Sequence, residues 1–130
     1  MKQLILSFAF FIGIIVSTQG QTTEIHKAIS TGNAQELASY FADPIDLTIL
    51  SRSGVFSKTQ ATGMINQFFQ RHQAQEFIPR HTPKKGESRK FGVGRLVTNK
   101  GVFRVSYLIQ ENDKTRKIRQ VRILPAKQKP

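Results

Sequence analysis

The chain has 130 residues, with 20 Lys and Arg against 8 Asp and Glu, a net charge of +12 at neutral pH. It contains no cysteine, which excludes disulfide support, thiol catalysis and thiolate metal ligands. A chain of this length supports one domain around one core.

Residues 1–20 read as an export signal: Lys2 forms a short basic region, an apolar run follows from Leu4 to Val16, and small and polar residues lead to Gly20. Thirteen residues are too few to span a bilayer core of about 30 Å, which needs ~20, so the mature chain carries no transmembrane segment. The expectation is cleavage near Gly20, a periplasmic or secreted location, a single domain over residues 21–125, and a frayed basic tail over 126–130.

Thr22 or Thr23 caps a first helix whose Ile25, Ala28 and Ile29 share one side. Thr31-Gly32 stops it. Asn33, with Glu36 three residues on, opens a second helix with Leu37 and Phe41 as its buried stripe, and Pro44 ends it. Ile45, Leu47 and Ile49 alternate with Asp46 and Thr48 as a half-buried strand does, and Val55-Phe56 pairs back across the Ser51–Gly54 turn. Ser57 and Gln60 have capping-box spacing for a third helix, with Ala61, Met64, Ile65, Phe68, Phe69 and His72 along one stripe. Gly63 within it marks an expected close approach to another element.

The rest reads as strands. Phe77 to Thr82 forms one, at an edge or bulged because Pro79 cannot donate to a ladder. Phe91 to Leu124 then forms three antiparallel strands. Asn99-Lys100-Gly101 reads as a three-residue loop, which pairs Val97 with Phe103, Val93 with Tyr107 and Phe91 with Ile109 on one apolar face. Gly92, Gly94, Lys90, Leu96, Arg104 and Leu108 then share the opposite face. Asn112-Asp113-Lys114 is the second loop, and the broken alternation of Ile118, Val121 and Ile123 predicts a bulge near Arg119 or Gln120.

These elements describe an α+β domain with helices on one side of a bent antiparallel sheet. The segments EIHKAISTGNAQELASYF, DLTIL, GVFSKTQA followed by FF, GVGRLVTNKGVFRV and QVRI are similar to a family of small exported bacterial proteins in the nuclear transport factor 2-like, or cystatin-like, superfamily. That resemblance implies a cone-shaped fold. The family has no established activity, so it implies no reaction. Within the superfamily, acid–base enzymes work from the mouth of the cone, which makes Asp46 and Tyr107 the pair to test, with Tyr40 as a further hydroxyl.

Against catalysis, Asp46 alternates with Ile45 and Leu47 and so points to solvent, while a tyrosine on a core face usually packs. Arg95 falls on the apolar face, where it either pairs with a carboxylate such as Glu36 or Asp46, or reaches the open end to grip an anion. Together with Tyr107, Phe91 and Phe103 it makes a candidate ligand site in the cone mouth. His26, His72 and His81 have no ligand spacing, so neither a metal site nor a cofactor is expected.

Sixteen of the basic residues lie from Arg71 onward, against four acidic ones, and Lys90, Arg104, Arg119 and Arg122 form a basic sheet face. Such a face attracts anionic partners, whether lipid, polysaccharide or small molecule. Nucleic acid is disfavoured because Phe91, Phe103 and Tyr107 fall inside and stacking needs exposed rings. Leu96, Leu108 and Ile118 on the outer face form a patch suited to a homodimer. Three readings remain open: a non-enzymatic domain binding an anionic ligand, a small cavity enzyme, and a self-associating structural module.

Overall fold

The computed structural model describes residues 20–127 apart from 85 and 113, so the expected export signal except Gly20, the expected tail beyond Lys127 and one residue of the second loop lie outside the described residues. Its elements are α1 (Gly20–Thr31), α2 (Ala34–Ala38), β1 (Phe41–Ile49), β2 (Arg52–Phe56), α3 (Lys58–Arg71), β3 (Ala74–His81), β4 (Arg89–Thr98), β5 (Gly101–Glu111) and β6 (Arg116–Pro125). The strands form one sheet in the order β2-β1-β6-β5-β4-β3. The helices cover one face, and Ile25, Leu37, Ile65, Phe68, Tyr107, Ile118 and Val121 meet in the core between them.

Local signals place the helices. Asn33 accepts a hydrogen bond from the Glu36 amide and starts α2. At α3 the Ser57 hydroxyl accepts from the Gln60 amide while the Gln60 side chain accepts from the Ser57 amide, so both halves of the capping box form. A carboxylate oxygen of Asp43 also accepts from the Lys58 amide, placing negative charge where the helix dipole favours it. Ala61, Ile65, Phe68 and Phe69 bury the face the spacing assigned. Gly63 is exposed, and a side chain there would meet nothing within 4 Å, so it marks no close approach.

Two expectations change at β1. Helix α2 ends at Ser39, well before Pro44, and Phe41 is the first residue of the strand, where it is fully buried. Pro44 lies within β1, after a cis Asp43–Pro44 bond. The sheet is also mixed, because β1 runs parallel to β6, its neighbour in space but not in sequence. Elsewhere the pairing is antiparallel. Strand β3 takes the edge, with a register shift just after Pro79, and β6 carries its bulge at Arg119, between Ile118 and Gln120.

The central correction is one of register. The β4–β5 loop holds two residues, Asn99 and Lys100, because Thr98 pairs with Gly101. The Thr98 hydroxyl closes this turn, donating to the Gly101 carbonyl and accepting from the Lys100 amide, and Gly101 takes a φ of +124°. A one-residue slip turns every β4 side chain over. Leu96 therefore faces Phe103 and is 0 % exposed, Gly92 faces Tyr107, and Gly94 faces Val105.

The glycines explain why this register wins. The Tyr107 ring lies across Gly92, where an added Cβ would sit 2.4 Å from its Cζ atom. The Phe77 ring covers Gly94 in the same way, 2.2 Å from where a Cβ would be. The slip thus gives two aromatic rings their seats and moves Arg95 out of an apolar environment that would penalise its charge.

Candidate functional site

The expected ligand site separates onto two faces. Phe103 and Tyr107 are buried under the helices, whereas Phe91, 43 % exposed, and Arg95 lie on the outer face of the sheet. Asp46 and Tyr107 are likewise on opposite faces, the Asp46 carboxylate accepting from Gln120 at 3.4 Å on the outside. Leu96 and Ile118 belong to the core, so only Leu108 of the expected self-association patch is on the outer face. Lys90 leaves the basic outer face for the inner one, where it is 7 % exposed. Among the described residues the void among Ile29, Leu37, Leu96, Val105, Tyr107 and Val121 under the helices measures about 10 Å³ and is apolar. That is room for a single water at most.

The outer face carries the remaining positive charge. Arg95 on β4 and Arg104 on β5 are directly opposite each other in the ladder, and Arg80 and Lys127 approach from β3 and from the residues after β6. Together with Val93, Leu124, Pro125 and Ala126 they line an open groove of about 700 Å³ whose lining contains no carboxylate. Ala126 is held there by a hydrogen bond from its amide to the Val102 carbonyl, so the tail is anchored at its first residue. Arg122 stands on the same face beside Ser106, whereas Arg119 shares a shallower depression with Asp46, Arg89 and Leu108. Among the described residues none of Arg80, Arg95, Arg104 and Lys127 makes an ion pair, the one such pair being Lys90 with Glu111 at 3.0 Å.

At the helix-covered face, the hydroxyl of Tyr107 and Nε2 of His26 are 2.8 Å apart. His26 also packs against the Phe77 ring at 5.1 Å. Burial lowers the His26 pKa below its usual 6.5 and pushes the Tyr107 phenol far up, so both are neutral near pH 7. The sequence contains no short-range sign of this pair, whose members are 81 residues apart. Among the described residues no three His, Asp or Glu side chains converge on a metal position, and no helix is long and apolar enough to cross a membrane.

Residues 22–123 match the profile of a domain of unknown function, DUF4783. The chain belongs to the DUF4783 family. A crystal structure of a DUF4783 protein from Bacteroides uniformis is similar, with 31% identity, 82% of this chain and 97% of that chain covered, and a TM-score of 0.76. The DUF4783 protein from Bacteroides ovatus gives 28% identity, 81% and 94% coverage and a TM-score of 0.74. Likeness of fold extends to a cystatin-like domain of unknown function from Nostoc punctiforme, at 10% identity, 85% and 75% coverage and a TM-score of 0.65. An NTF2-like protein of unknown function from Cytophaga hutchinsonii gives 9% identity, 86% and 92% coverage and a TM-score of 0.58. No curated protein matches the chain. The cone-shaped NTF2-like fold is thus shared well beyond DUF4783.

Proposed function

We propose that this DUF4783 chain is an exported, non-enzymatic binding domain that holds an extended anionic ligand along the outer face of its sheet. The observation that carries this reading is the groove lined by Arg80, Arg95, Arg104 and Lys127 with no carboxylate among its lining residues. Like charges directly opposite on neighbouring strands weaken a sheet, so the Arg95–Arg104 pair opposes stability and is relieved when an anion lies between the two. Guanidinium groups suit such a ligand because each can grip an oxyanion through two parallel hydrogen bonds. The void of about 10 Å³ under the helices is too small for an extended ligand, which supports the outer face as its seat.

The test is retention on immobilised heparin, as a generic acidic polysaccharide, and on vesicles of phosphatidylglycerol, both titrated with NaCl. Binding that weakens with salt and falls about tenfold or more in R95Q/R104Q supports the groove, since each charge-assisted contact contributes about 1.5–3 kcal/mol and 1.4 kcal/mol is a tenfold change. Equal weakening by K58Q, on the opposite layer, would reduce the effect to net charge and defeat the proposal.

A further inference from the structure

The inner face of the sheet ends in a second cluster of charge, independent of the outer groove. Lys90, Tyr107, Glu111 and Arg116 share that face near the ends of β4, β5 and β6, and His26 of α1 reaches it through Tyr107. Glu111 is directly across the ladder from Arg116, yet its carboxylate takes the Lys90 ammonium at 3.0 Å. Two cations therefore share one carboxylate. Among the described residues Arg116 makes no hydrogen bond or ion pair, and its Nε is buried without an acceptor. A donor in that position forfeits a hydrogen bond that it would have in water, and charged donors forfeit most.

We propose that Arg116, next to the Lys90–Glu111 pair, forms a small-oxyanion site that takes a carboxylate or phosphate group at this end of the sheet. The guanidinium presents Nε–H and one Nη–H side by side, the fork that matches two oxygens of such a group. Lys90 adds positive charge while keeping Glu111 from occupying the guanidinium itself.

The test is an NMR titration of the purified protein with sodium acetate and, separately, with inorganic phosphate, at constant ionic strength set with chloride. Saturable shifts of the Arg116 Nε–H signal with at least one probe are expected; the probe that saturates identifies the group as carboxylate or phosphate. R116Q weakens the titration at least tenfold, and R116K, which keeps the charge without the fork, weakens it less and guards against loss of fold. R95Q/R104Q leaves it unchanged, so this site stands or falls apart from the outer groove. Shifts that stay linear with both probes, or saturation that survives R116Q, would overturn it.

Discussion

Gly92→Ala is the sharpest probe of the register that organises this domain. The new Cβ would sit 2.4 Å from Cζ and 2.6 Å from the hydroxyl oxygen of Tyr107, whereas ordinary contact begins at 3.4 Å, so the ring must retreat by about 1 Å. That retreat takes the hydroxyl from its 2.8 Å partner, Nε2 of His26. Overpacking of this kind costs about 1–3 kcal/mol, the lost hydrogen bond adds about 1, and the reduced freedom of the unfolded chain returns about 0.5–1. The net is a loss of about 1–3.5 kcal/mol, or roughly 4–28 °C in Tm for a domain of about 100 residues. Urea denaturation followed by far-UV and tyrosine near-UV circular dichroism measures it. The same substitution in a Y107L background, where no ring covers the glycine, should cost at least 1 kcal/mol less. A G92A protein within about 0.5 kcal/mol of the parent, or an equal cost in both backgrounds, would refute the placement of Tyr107 over Gly92.

Three further outcomes follow from side chains already placed. His26 has its pKa lowered by burial, so the unfolded chain takes up the proton first; its contribution is complete above about pH 6.5 and is lost as pH falls toward the folded value. In H26Q the slope of stability between pH 7 and 5 should be shallower, and an unchanged slope would assign it elsewhere. The hydrogen bond from Lys90, then its charge, holds Glu111 below its usual 4.5, so that pair stabilises above that pH and fails as pH drops through the folded value. E111Q should destabilise more than K90M, because only the former leaves a buried ammonium unpaired, and urea midpoints at pH 7 give the order. Ser57→Ala removes the acceptor at the start of α3 and should cost about 1 kcal/mol by the same denaturation.

What the sequence revealed was whatever is decided within a few residues. Ser57 and Gln60 announce α3 because a cap is a local exchange of hydrogen bonds, and Pro79 points to an edge because its missing donor is a property of one residue. The Arg119 bulge was visible as a break in alternation. The β4–β5 register was not, since Asn99-Lys100-Gly101 suits a three-residue loop and the shorter loop is closed by the Thr98 hydroxyl. Gly92 and Gly94 were the missed signal. Two glycines alternating within an otherwise apolar strand are expected where rings lie flat on a sheet, and that reading would have sent Arg95 outward. The seat of Phe41 and the His26–Tyr107 bond depend on contacts distant in sequence, which no spacing announces.

The two faces of the sheet treat charge in opposite ways. Lys90, on the buried side, is given Glu111, as a cation in an apolar setting must be. Arg95 and Arg104, on the open side, face each other with no carboxylate among the described residues that line their groove, although a single Glu or Thr at either position would suit the ladder better. Folding alone gives no reason for that second arrangement, since water-exposed β positions accept neutral residues readily. Arg116 breaks the pattern of the first, being on the covered side with no ion pair among the described residues. A residue that departs from the rule of its own face in the direction of unsatisfied positive charge is where an external anion has most to offer, which is why Arg116 and the Arg95–Arg104 pair are the positions to substitute first.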